Sequence, residues 1–348
     1  MRFACAVVSF LLAACGEPGA GDTDAQPSTS TTMSSSSGAE SSAAATSAEA
    51  TTDVEPSSGS DPTTDGTSEG TGPAVCGPAP DPSQPWIRAY TDDVVARLTG
   101  AAELTPGVTL PERSTSANRA ATADWLQAEF DALGLQTQRH AYSATGTNIA
   151  GLLPATEPGG RTVVVGAHFD TVPGSPGAND NATGVAFVLS LARYLASIEC
   201  RAHDVVFVGF DEEEIGLLGS DAFAQLLFDQ GTDVIAVHTI DQMGWDQDGD
   251  RAIELERADE GLFEFYEAAS ATLAAPVTLH GTNTGFTDHV SFRPFGFAAV
   301  GLTEEFVSGD TTPHYHLPSD TYETVNFDLL VSTCVLGHAA FALLIDAA

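Results

Sequence analysis

Residues 163–195, VVVGAHFDTVPGSPGANDNATGVAFVLSLARYL, constrain the fold more than any other stretch. They join an apolar run of strand type to a Gly/Pro loop and then to an amphipathic helix expected over 183–196. His168 and Asp170 stand where the strand ends, and Asp180 lies in the loop. Open α/β sheets place their chemistry on polar residues that leave the C-terminal ends of buried strands. The stretch therefore reads as half of a metal site, to be completed from elsewhere in the chain.

The same grammar recurs. DVVFVGF at 204–210 reads as a buried strand running into Asp211-Glu212-Glu213-Glu214, and a strand over 232–240 ends at Asp241. Further strands are expected over 136–142, 148–153, 252–256 and 297–302. Helices are expected over 86–98, 116–133 (capped by Ser116), 220–228, 262–273 and 327–345. This alternation predicts a single three-layer α/β/α domain over 76–348, with a mixed, mainly parallel central sheet. No further apolar segment of membrane length is expected within it. The intervals from Asp180 to Glu214 and from Asp241 to His316 leave no room for an inserted domain.

Ahead of the domain, the chain changes character twice. Residues 1–15, MRFACAVVSFLLAAC, have the form of a secretory signal, and LAAC resembles a bacterial lipobox that would place lipid on Cys15. Gly16 follows in place of the Asp associated with inner-membrane retention, so an outer-membrane lipoprotein, facing the periplasm or the surface, or a secreted protein, is expected. Residues 16–75 are Ser, Thr, Ala, Gly, Pro and acidic residues, too poor in large apolar side chains to offset ordering entropy; they read as a disordered tether. In an oxidising compartment, one disulfide is expected among Cys76, Cys200 and Cys334, pairing open, with the third a buried thiol.

The chain has 12 basic residues, all Arg, against 48 acidic ones, a formal charge of -36. A field of that sign excludes nucleic acid and anionic membrane surfaces as partners. Oligomeric state is not legible. There is no G-x-S-x-G elbow and no P-loop, so serine hydrolysis and nucleotide binding have no support. DQDGD at 246–250 has its Gly misplaced for a calcium loop and reads as a turn.

Five residues with metal-ligand chemistry fall at strand ends or in the loops after them: His168, Asp180, Glu214, Asp241 and His316. Two imidazoles and three carboxylates without a thiolate suit a divalent ion such as zinc, and a bridging Asp would allow a pair of ions. HFD at 168–170, GANDNATG at 177–184, EEIGLLGS at 213–220, IDQMG at 240–244 and YHLPSD at 315–320 occur in this order. Together they resemble the zinc aminopeptidases of peptidase family M28, over most of the domain from about Trp86 onward.

The resemblance implies two zinc ions bridged by Asp180, one completed by His168 and Asp241, the other by Glu214 and His316. It implies Glu213 as general base, Asp170 as the carboxylate that orients His168, and Tyr315 as a donor to the substrate carbonyl. Peptides would be the substrates. Glu212 makes the acidic run three glutamates long; the Glu-Glu-x-Gly frame aligns Glu213 and Glu214 and leaves Glu212 as a flank. His314 competes with His316, and the His-Leu-Pro-Ser-Asp frame favours His316, with Asp320 in support. Thr287-Asp288-His289 matches a family segment near the substrate pocket and is read as structural. Alternatives of the same fold are a glutaminyl-peptide cyclase, a carboxypeptidase and a non-catalytic metal-bound binding protein.

Overall fold

The computed structural model describes residues 76–345. The expected signal, Cys15 and tether lie outside the described residues. Eight strands form one mixed sheet in the order β1-β2-β4-β3-β5-β8-β6-β7. They are β1 (Gln136–Ala141), β2 (Thr147–Leu153), β3 (Thr162–His168), β4 (Asp204–Phe210), β5 (Val234–Ile240), β6 (Ala252–Glu256), β7 (Thr278–Thr282) and β8 (Ala299–Glu304). The centre, β4-β3-β5-β8, is parallel; β1, β2 and β6 join antiparallel, and β7 lies parallel to β6 at the edge. This is the expected α/β fold.

Strand alternation sorts the core into two layers. Val163, Val165 and Ala167 of β3, with Val205 and Phe207 of β4, face the larger layer. Helices α1 (Ile87–Leu98), α2 (Ser116–Ala132), α3 (Thr183–Ala196), α5 (Leu262–Ser270) and α6 (Phe327–Ile345) contribute to that side. Val164, Val206, Val208 and Phe210 face the smaller layer, closed by α4 (Leu218–Gln230) and a short 3-10 turn over Asp288–Phe295. Full burial of such a side chain is worth about 1.5–3 kcal/mol, so a slip of one residue in β3 or β4 would exchange two cores at once.

Four differences from expectation have physical causes. The cap of α2 is Thr115, whose hydroxyl accepts from the Asn118 amide at 3.2 Å; Ser116 is already helical. The edge strand β7, half exposed and interrupted by Gly281, carries no apolar pattern. The 3-10 turn at Asp288–Phe295 is another unexpected element; it includes Pro294. Helix α6 is long and apolar enough to cross a membrane, contrary to expectation, but packs against α1, α3 and α5 as a core helix.

Cys76 and Cys200 form the disulfide, with Cα atoms 5.7 Å apart, and Cys334 is the buried free thiol.

Candidate metal centre

Parallel strands bring the site residues to one edge. His168 ends β3, Asp241 follows β5, and Asp211–Glu214 follow β4. His168 Nε2 lies 3.3 Å from Asp180 Oδ1 and 3.4 Å from Asp241 Oδ1. His316 Nε2 lies 3.3 Å from Asp180 Oδ2 and 3.0 Å from Glu214 Oε2. Each oxygen of the Asp180 carboxylate thus faces a different imidazole.

These separations test the fit to zinc. Ligand atoms about 2.0–2.1 Å from a tetrahedral ion stand about 3.3 Å from one another. His168 Nε2 and Asp241 Oδ1 are buried without a hydrogen-bond partner, a costly arrangement unless an ion satisfies them. The trios His168-Asp180-Asp241 and Asp180-Glu214-His316 each converge to within 4.8 Å, as does His168-Glu213-Glu214. The donor set fits two ions sharing Asp180.

Charge crowding shows in the ionisation of these groups. Burial disfavours the His168 imidazolium, but Glu213 and Asp241 outweigh it and hold its pKa well above the ordinary value. Hydrogen bonds to Asp180 and Glu214 push His316 up to about 10. Burial, with Asp288, Asp241 and Glu214 acting in the same direction against His168, lifts Glu213 to about 10.

A dense support fixes the loops. Asp170 sits 3.4 Å from His168 Nδ1, and its two oxygens accept from the amides of Glu213 (3.0 Å) and Glu214 (3.2 Å). One carboxylate therefore presents the glutamate pair through both its oxygens and lies alongside the imidazole. Asp320 accepts from the amides of Asn179 (2.8 Å) and Asp180 (3.0 Å). The asparagines flanking Asp180 stitch its loop to the end of β5: Asn179 accepts from the Gly244 amide at 2.7 Å, and Asn181 donates to the Ile240 carbonyl at 2.8 Å. Gly184 is needed at this seam, because a Cβ there would lie 2.2 Å from Asn181 Oδ1 and 2.7 Å from the Ile240 carbonyl.

Glu212, Gln242 and His316 hold φ angles of 61°, 51° and 57°, left-handed conformations that non-glycine residues adopt at a cost. All three are at or beside the convergent side chains, where such strain gathers.

The two ambiguities of frame resolve by geometry. Glu212 turns away and pairs with Arg119 at 2.6 Å, while Glu214 Oε1 accepts from the Val172 amide at 3.2 Å. His314 turns outward to Ser319 Oγ at 2.9 Å. Tyr315 stacks on the His316 ring at 3.8 Å between centroids and stands partly exposed at the cleft. Asp246, Asp248 and Asp250 form a separate surface cluster whose carboxylates cap backbone amides of their own turn.

Several supports are not legible from sequence. Arg113 is fully buried and donates to the carbonyls of Phe169, Pro176, Gly177 and Leu98, bracing the loop between His168 and Asp180. Burial lowers its pKa to about 10, so it stays charged at neutral pH. Glu304 accepts from the Asn179 amide group at 2.8 Å. Asp170 and Asp320 carried a signal in the HFD and YHLPSD runs, and Asn179 and Asn181 stood in the GANDNATG run.

Known proteins resemble this chain in sequence and in fold. The sequence profile of peptidase family M28 matches residues 148–335. Aminopeptidase YwaD of Bacillus subtilis (strain 168) is 32% identical over 187 residues, covering 51% of this chain and 40% of its own length, so the chain spans about two fifths of that relative. The structure of BSAP, a zinc aminopeptidase from Bacillus subtilis, superposes with a TM-score of 0.65 at 18% identity, covering 75% of this chain and 95% of the other. Porphyromonas gingivalis glutaminyl cyclase superposes with a TM-score of 0.60 at 19% identity, covering 73% and 97%. At such identities the structural likeness speaks for the fold alone, whereas the profile match covers more than half of the chain: the protein belongs to peptidase family M28.

Proposed function

We propose that this protein is a dizinc exopeptidase that removes the N-terminal residue of peptides. The observation that carries the reading is the Asp180 carboxylate, with one oxygen toward each of two imidazole-carboxylate clusters. His168, Asp180 and Asp241 would hold one ion and Asp180, Glu214 and His316 the other. Zinc held there supplies Lewis acidity, polarising a carbonyl and acidifying water.

The chain's own groups do the rest. Glu213, held by the Asp170 bond to its amide, accepts the proton of the attacking water and delivers it to the leaving amine. Burial and the neighbouring carboxylates hold this carboxyl high on their own, and cations held beside it would offset them and leave it ionised, ready to accept a proton. Tyr315, which stacks on His316 and lines the cleft, would donate to the carbonyl oxygen. Asp170 keeps His168 in one orientation.

The N-terminal residues support a lipid anchor at Cys15 and an envelope or secreted location; loss of palmitate labelling in Cys15→Ser tests that part. The activity is tested by incubating the zinc-loaded full chain with a mixed peptide library, with and without chelator, and reading products by mass spectrometry. Chelator-sensitive loss of single N-terminal residues is expected. Loss of ammonia from N-terminal Gln would make the protein a cyclase, and C-terminal trimming a carboxypeptidase. No change with two zinc ions bound would leave a metal-bound binding protein.

A further inference from the structure

The cleft that holds the convergent carboxylates is also lined by Gln242, Glu256, Phe286, Thr303 and Phe306. Its far side is built from β6 and β8. In the register of these strands, Glu254 pairs with Thr303 and Glu256 with Gly301, and across β6 on the other side Glu256 pairs with Thr282. Residues two apart on a strand share a face, so Glu254 and Glu256 lie on the same face of the sheet. Glu256 and Thr303 line the cleft.

This floor is rich in acceptors. Glu256 is buried and accepts from the Thr287 hydroxyl at 2.8 Å to Oε2. Gln242 also lines the cleft, is 5% exposed, and its side-chain oxygen has no hydrogen-bond partner. The charged groups that bear on Glu256 are Asp241 and Glu254, both acidic. His289 lies 3.6 Å away, but burial drives its pKa down to about 3, so it is neutral and supplies no counter-charge. Among the described residues lining the cleft there is no Arg. The rim, by contrast, is aromatic: Phe286 (77% exposed), Phe306 and Tyr315.

A buried carboxylate and a free amide oxygen beneath an aromatic rim need a ligand with donors at its tip and an aliphatic stem. A lysine or arginine side chain has that form: its stem covers apolar surface, aromatic faces attract its charge, and its head supplies only donors. An aliphatic side chain in the same place would offer Glu256 and Gln242 no donor. We infer that this cleft selects a cationic residue at the N-terminus of its substrate, with Glu256 as counter-charge and Gln242 as a further acceptor. The inference rests on the aminopeptidase reading.

The test uses the zinc-loaded full chain and aminoacyl-coumarin amides of Arg, Lys, Leu and Glu. The expected kcat/KM for Arg and Lys exceeds that for Leu at least about tenfold, and Glu is the poorest. Glu256→Gln and Glu256→Leu should each lower the Arg-to-Leu ratio at least about tenfold. Because the ratio is internal to each preparation, loss of folded protein does not move it. Wild-type preference for Leu, or an Arg-to-Leu ratio unchanged in both variants, overturns the cationic subsite and leaves the peptidase intact. Equal losses on all substrates would place Glu256 at the substrate α-amino group instead, which also overturns it. Release of no N-terminal residue from any substrate removes the aminopeptidase reading and this inference with it.

Discussion

The two halves of the candidate metal centre are built differently. His168 and Asp241 stand at strand ends and are 1% and 7% exposed. Glu214 and His316 stand on loops, and the His316 side chain is 38% exposed with a left-handed backbone. One half is set by the sheet and the other by a loop that must be held in a disfavoured conformation. Asp180 belongs to both, and its loop is tied to β5 by Asn179 and Asn181. The lesson is that the sheet can fix one cluster of ligands, while the second depends on hydrogen bonds that reach across the sequence.

The largest effect should come from the residue between the halves. Glu213→Gln is expected to lower kcat by about 10²–10⁴-fold while zinc content, measured by elemental analysis, stays at the wild-type level. Loss of zinc in that variant would make Glu213 a ligand and erase the distinction between the halves. Next, Asp170→Asn should weaken zinc affinity about 10–100-fold, because it loosens the His168 ring and the glutamate amides together. His314→Ala, whose side chain turns away, should leave affinity unchanged; a matching loss there would assign the exposed half to the wrong imidazole.

Graded chelation separates the two halves. The ion of the Glu214-His316 half should leave first, and His316→Ala should bind one ion where the wild type is expected to bind two. Simultaneous loss of both ions at every chelator concentration would contradict the asymmetry.

The smallest effect is in pH. In the metal-free protein His316 titrates near 10, above its unfolded value, because it gains Asp180 and Glu214 as partners. Its contribution to stability is present below about pH 6.5 and is lost as pH rises through about 10. The melting temperature of chelated protein should therefore fall from pH 6.5 to 10, less steeply in His316→Ala. Zinc must displace these protons, so zinc affinity should fall in acid, and activity with it. An equal decline in His316→Ala would shift the whole effect to the buried half.

Legibility in the sequence follows the same division. Strands β4 and β6 and helices α3 and α6 have the bounds expected from apolar patterning, because each is buried against a neighbour that demands that pattern. Half-exposed β7 and the 3-10 turn at Asp288–Phe295 carry no such demand. Residues at strand ends announce themselves through the strand that precedes them. Arg113 does not, since its role exists only where four distant carbonyls meet. The Glu212 frame is likewise settled by Arg119, 93 positions away. Glu256 sits in a strand recognised from sequence, but which face it occupies depends on β8 pairing beside it.

The disulfide has a mechanical consequence. Cys200 lies just ahead of β4, in the middle of the sheet, and Cys76 is the first described residue. A pull arriving from the N-terminal side of Cys76 passes through a covalent bond to the root of a central strand. Helix α1 is bypassed and does not peel away first. Load enters the molecule at the root of an interior strand, and the ligand-bearing edge lies at the opposite end of that strand, beyond Phe210.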